Sequence, residues 1–265
     1  MDRLLLIAST FCFLLGFAYT MFTLGAGRYR PSRWSLGVVG LGFLLQTGFL
    51  YLRGEALGRC PLTNLFEVLT FLSWSMVLFY VLIGPAYRLS LMGAFTSPLA
   101  FLIQTVALLI PGADHPPVLS TVHNPWLEMH AAFSVMAYGA FALACVAGGM
   151  YLAQERQLKT HQLHSMFFQL PPIRDLGVTN ARLMLAGFGL LSVGLVAGFV
   201  MGNLEAHMVK IFWSCAVWLL YGVVLAAVFR HSLSGRRVAW LSVGAFGVVV
   251  GTLWSLKFIS QPAPL

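Results

Sequence analysis

The chain has 265 residues, of which 59% are hydrophobic and 9% charged, with a formal net charge of +8 and a mean hydropathy of +0.84. A soluble domain carries about 25% charged residues, so this composition excludes a water-soluble globule and requires a bilayer as solvent. Backbone polar groups in lipid must be satisfied internally, which leaves helices or a closed barrel. The apolar runs are continuous rather than alternating, which selects an all-α integral membrane protein.

In chain order, eight runs reach the roughly 20 residues needed to cross a ~30 Å hydrocarbon core. They predict a bundle of about eight transmembrane helices in one polytopic domain, residues 1–265. The first run, 4–24, lies behind only Asp2 and Arg3 and is followed by Arg28, Arg30 and Arg33, which reads as an uncleaved span rather than a leader. The second covers 34–52. The third, 65–84, is opened by Cys60-Pro61-Leu62-Thr63-Asn64-Leu65-Phe66-Glu67, where Asn64 is placed to cap the helix with Glu67 three residues on.

The fourth run is 91–110. A connection with Asp114, His115, Pro116, Pro117 and His123 leads to Asn124, a second cap, with Pro125 in the first helical position. The fifth is 127–152. A long connection, 154–182, holds His161, His164, Pro171 and Pro172, and its Met166-Phe167-Phe168 predicts a short helix lying on the membrane surface. The last three runs are 183–202, 209–229 and 238–258.

Charge sets the expected orientation. The odd-numbered connections hold Arg28, Arg30, Arg33, Arg88, Arg156, Lys159, Arg174, Arg182, Arg230, Arg236 and Arg237. The even-numbered connections and the tails hold Arg3, Arg53, Arg59, Lys210 and Lys257. The positive-inside rule then puts the odd connections in the cytoplasm and both termini outside. Topology thereby accounts for the basic balance, and no nucleic acid partner is needed.

The four cysteines, Cys12, Cys60, Cys145 and Cys215, form no C-x-x-C, which excludes a thiol-exchange motif, a zinc knuckle and self-attachment of c-type haem. Three lie within spans and read as small packing residues; Cys60 falls on the outer side. Among the seven histidines, His231 beside Arg230 reads as a solvated interfacial residue. His161 and His164 lack the carboxylates or cysteines of a metal site.

His130 stands apart, about one turn into the fifth span, with Ser134, Tyr138 and Phe141 near the same helical face. A buried imidazole needs a hydrogen-bond partner or a metal. His207 opens the seventh span with Lys210, Ser214 and Trp218 on its face. Two imidazoles at the outer ends of two helices suit a bis-histidine haem site. Lys210, Arg53 and Arg59 are the nearby cations for its propionates, although Lys210 also suits snorkelling to the interface.

Three segments resemble the cytochrome c assembly family, which includes the CcsA-type subunit of the c-type cytochrome synthase, the CcmC haem transporter and HemX/YpjD-like proteins. Pro61-Leu62-Thr63-Asn64-Leu65-Phe66-Glu67 with Phe71-Leu72-Ser73-Trp74 is similar to its P-L-x-N-x-x-E and F-L-x-W pattern. Trp126-Leu127-Glu128-Met129-His130 with Tyr138 is similar to the segment bearing its outer haem-ligating histidine. Lys210, Trp213 and Trp218 match the second half of its tryptophan-rich motif, W-x-W-D-P-K-x-x-W-x-x-x-x-W. The first half is absent: Glu205 and His207 stand where its tryptophans would be and Met208 where its aspartate would be. The family's second outer histidine is also absent from 253–265, so His207 as a second ligand rests on position alone.

The resemblance implies a haem b site facing the periplasmic side of a bacterial cytoplasmic (inner) membrane. The iron ligand it implies is His130, with Trp126, Tyr138, Lys210, Trp213 and Trp218 lining the site, and His207 is added as the second candidate from its position alone. It implies a factor for c-type cytochrome maturation, working with apocytochrome c, a partner membrane subunit carrying an outer domain, or both. Full synthase activity, which would add a partner's two cysteine thiols to the haem vinyl groups, stays open. So does the alternative of a HemX-like membrane haem sensor or regulator without catalysis, which the stretches 235–241 and 255–258 favour.

Overall fold

A computed structural model of the chain describes residues 2–25, 33–83, 90–110, 124–160, 172–200, 204–230 and 233–259. Among them the structure is all helical. The elements are α1 (Asp2–Gly25), α2 (Arg33–Leu57), α3 (Leu65–Ile83), α4 (Ser90–Leu109), α5 (Pro125–Thr160), α6 (Ile173–Val200), α7 (Leu204–Phe229) and α8 (Gly235–Ile259). Six of these are long and apolar enough, over their described residues, to cross a membrane, and α4 contributes a shorter apolar stretch, Phe95–Leu109. The side chains facing outward are those that lipid solvates: Phe22 on α1, Leu44 on α2, Leu102 on α4, Val196 on α6 and Val223 on α7 are all exposed.

Both caps read from the sequence are formed. Asn64 Oδ1 accepts from the Glu67 backbone N–H at 2.8 Å, while Glu67 Oε2 accepts from Thr63 N–H at 2.8 Å and Thr63 Oγ1 at 2.7 Å. The reciprocal bond therefore reaches one residue further back than in a simple capping box. Asn124 Oδ1 accepts from Trp126 N–H at 3.1 Å, and Pro125 is the first helical residue.

Several elements outrun their apolar runs, α7 among them, beginning at Leu204, five residues ahead of its run; α2, α5 and α6 show how. α2 continues from Leu52 to Leu57 and stops at Gly58, the left-handed residue (φ +63°) of a Schellman turn. Its bonds run from Arg59 N–H to Gly54 O and from Gly58 N–H to Glu55 O, both 3.2 Å. α5 continues eight residues past Leu152, supported by an i,i+4 pair of Glu155 with Lys159 at 2.7 Å. α6 begins at Ile173, ten residues ahead of the apolar run, where the Pro172 carbonyl accepts from Asp175 and Leu176. Of the expected long inner connection, residues 154–160 and 173–182 are therefore helical; its Met166-Phe167-Phe168 lies outside the described residues.

α5 is central, packing on α3, α6 and α8, while α1 packs on α2 and α4. The α5–α6 seam is antiparallel and closed by glycines on α6. A Cβ at Gly194 would stand 2.9 Å from Ser134 Oγ, and one at Gly187 would run into the Phe141 ring. Small residues allow such close approach between membrane helices. Phe141 then stacks on Tyr221 of α7, with centroids 3.6 Å apart and planes 8° from parallel.

Candidate functional site

The turn between α2 and α3 meets the first turns of α5. The backbone N–H of Cys60 donates to Glu128 Oε2 at 3.2 Å. Alongside it, Arg53 Nε lies 3.0 Å from Oε1 of Glu67, whose side chain is fully buried. With the two bonds from Thr63, Glu67 has acceptors engaged on both oxygens, so the charge is fully compensated by its own surroundings. The most recognisable phrase of the sequence is thus a structural lock joining α2, the turn and α3.

Two groups beside this lock stay open. Arg59 is half-buried, and its Nε and Nη2 atoms are buried with no hydrogen-bond partner. Cys60 is a free thiol whose pKa is pushed up, first by burial and then by the carboxylates of Glu128 and Glu67. Little of it is thiolate at neutral pH, which leaves it a poor nucleophile.

His130 sits on the other side of α5, half-buried against α6. Its Nδ1 is 2.7 Å from the carbonyl oxygen of Gly194. A carbonyl only accepts, so Nδ1 must carry the proton. In the neutral ring, Nε2 then holds the lone pair. Gly198 completes the slot: a Cβ there would stand 2.8 Å from Nδ1 and 3.2 Å from Cε1. A backbone carbonyl that fixes one ring nitrogen and thereby prepares the other is the usual support for a metal-ligating histidine.

The remaining candidates are spread along α5 and α7. Ser134 and Phe141, expected near the same helical face as His130, are buried in the seam with α6. Tyr138 is half-buried and packs on the central core. Trp126 is 42% exposed on the first turn of α5. Trp218 donates its indole N–H to Ser192 Oγ at 2.8 Å and stacks on Phe188, fastening α7 to α6. Trp213 is half-buried, edge-on to Phe212. His207 and Lys210 are in the first turns of α7, with side chains outside the described residues. Because only three residues separate Val200 from Leu204, these turns start at the same end of the bundle as Gly198 and His130. His115, His123, His161, His164 and His231 also lie outside the described residues.

Reading the sequence missed three partners: Arg53 for Glu67, Glu128 for the Cys60 amide, and the Gly194–Gly198 slot for His130. Only the last left a signal, the G-x-x-x-G spacing within the sixth apolar run.

The family described as Cytochrome C assembly protein matches residues 62–261, which include Thr63 and Glu67 of the lock, the His130 helix and the α6 slot, while Arg53 and Cys60 precede them. The chain belongs to the cytochrome c assembly family. Among its curated relatives, the CcsA cytochrome c biogenesis protein of Guillardia theta is 28% identical over 228 residues, 77% of this chain and 75% of that one. The CcsA protein of Synechococcus sp. (strain RCC307) is 26% identical over 255 residues, 85% and 82%. Protein HemX of Brevibacillus brevis is 26% identical over 175 residues, 66% of this chain and 64% of that protein. A membrane protein with a cytochrome c assembly role is what the family and the helices support together.

Proposed function

We propose that this chain holds haem b through Nε2 of His130, near the outer leaflet of a bacterial cytoplasmic membrane, and presents it for maturation of c-type cytochromes. The observation that carries this reading is the bond from His130 Nδ1 to the Gly194 carbonyl, which fixes the tautomer with the free lone pair on Nε2. The slot favours one orientation of the ring because Gly194 and Gly198 leave no side chain between it and α6. When bound, haem supplies the redox-active iron and the vinyl groups to which cytochrome thiols attach.

The chain's own residues bind and orient. Arg59, with buried guanidinium nitrogens that lack partners, is the cation we assign to a propionate; Arg53 is committed to Glu67. His207 is the candidate second ligand, placed by the short α6–α7 connection at the end of the bundle that carries His130. Trp126, Tyr138, Lys210, Trp213 and Trp218 are proposed as walls and flanks of the site. Orientation with both termini outside rests on the arginine and lysine distribution. Apocytochrome c and a membrane partner with an outer domain are the proposed collaborators.

A second reading, a HemX-like membrane haem regulator, is favoured by the similarity to HemX over 66% of the chain. Both readings need haem. The test is an absorption spectrum, oxidised and reduced, of the protein purified in mild detergent from haem-replete cells. Low-spin haem at near one per chain is expected, and His207→Ala removes the bis-histidine features while some haem remains. A colourless protein that also takes up no added haem overturns both readings. Restored c-type cytochromes in a maturation-deficient host select the first reading over the second.

A further inference from the structure

The end of α5 opposite His130 carries a second built feature. Glu155 lies 25 residues beyond His130 on the same helix, roughly 37 Å along its axis at 1.5 Å per residue, about one hydrocarbon thickness away. There, Leu152, Ala153, Glu155, Arg156 and Lys159 of α5 and Arg236 and Trp240 of α8 line a groove of about 450 Å³. Glu155 gathers cations from two helices: Lys159 Nζ at 2.7 Å and Arg236 Nε at 3.6 Å. Two cations against one carboxylate leave a surplus of positive charge in a concave site.

We propose that this groove binds the phosphate of an anionic phospholipid headgroup in the leaflet away from His130. Charge complementarity selects the phosphate, and basic pockets between helices at the cytoplasmic face are suited to such headgroups. The walls select a lipid over a free anion. Leu152 and Ala153 are apolar, and Trp240 is 58% exposed beside them. A tryptophan at this depth matches the headgroup level, where its indole meets both glycerol and water. Lys159 and Arg236 remain 60% and 56% exposed, so the carboxylate positions them without removing them from the opening.

Native mass spectrometry of the full chain in mild detergent tests this, with phosphatidylglycerol and phosphatidylcholine of identical acyl chains as probes. The wild-type chain is expected to retain phosphatidylglycerol in preference to phosphatidylcholine. Lys159→Gln with Arg236→Gln lowers phosphatidylglycerol retention on the order of tenfold and leaves phosphatidylcholine unchanged. Lys159→Arg with Arg236→Lys, which keeps the charges, keeps the preference and controls for folding. Equal retention of both lipids by the wild-type chain, or an unchanged preference in the Gln variant, overturns the proposal. Displacement of phosphatidylglycerol by excess inorganic phosphate also overturns it, because the groove would then read the phosphate alone.

Discussion

Glu67 and His130 both sit near the same end of the bundle, and both fall within the residues that match the family, yet they differ in what their surroundings leave undone. Glu67 receives Arg53 and two bonds from Thr63, so every part of its charge is answered within the protein. His130 makes one bond, donated from Nδ1 to the Gly194 carbonyl, and in the neutral ring its other nitrogen is left with a lone pair. A polar residue in an apolar chain is costly in either case. Completed valences mark a lock, and a deliberately incomplete one marks a place for chemistry. The contrast separates two signatures that look alike as sequence.

Substitutions at the two places should therefore fail in different ways. The largest expected effect is at the lock. Glu67→Ala leaves Arg53 beside a buried, empty acceptor site and should destabilise the protein by about 3–5 kcal/mol, read as a lower melting temperature in detergent. Haem per folded chain should stay unchanged; a selective loss of haem without loss of stability would put Glu67 in the binding site.

Next comes the slot. Gly198→Val places methyl groups where even a Cβ would stand 2.8 Å from His130 Nδ1. Overpacking of this kind costs about 1–3 kcal/mol, and the displaced imidazole should lose most of the haem. Here stability falls less than at Glu67 and the spectrum changes more, the reverse of the lock variant. A smaller effect is expected from Asn64→Ala, which removes the cap of α3 at a cost of about 1 kcal/mol and should leave the spectrum alone.

The smallest effect is kinetic. Burial, Glu128 and Glu67 raise the Cys60 pKa, so thiolate is scarce at neutral pH and alkylation should be slower than for a solvent-exposed cysteine away from carboxylates. Removing one carboxylate lowers that pKa, so Glu128→Gln should speed alkylation by a few-fold. Mass spectrometry of modified Cys60 over time reads this directly. An unchanged rate in the variant would mean that burial alone holds the thiol protonated.

The same contrast explains what the sequence could show. Asn64 with Glu67, and Asn124 with Pro125, announce their helix starts because a cap is a local device, written within four residues. The apolar runs identify the helical membrane class because the bilayer acts on each span separately. Their ends are another matter. Hydropathy stops at Arg53, whereas the backbone continues to the left-handed Gly58, and the polar residues 153–160 and 173–182 stay helical beyond the apolar runs.

Hydropathy reports where lipid is, and helix ends are set by hydrogen bonding. The surroundings of His130 were the least legible. Its companions Ser134 and Phe141 share its face, but that face is closed by α6 through glycines more than fifty residues away in the chain. A helical wheel shows which residues share a side and says nothing of what covers it.

The most direct measurement is haem per chain in His130→Ala, compared with the wild-type protein at equal detergent and haem supply, with a melting curve on each. The account predicts that bound haem is lost while the melting temperature shifts little, because the imidazole contributes a single hydrogen bond to the fold. Full haem content with an unchanged low-spin spectrum would contradict it and place the iron elsewhere.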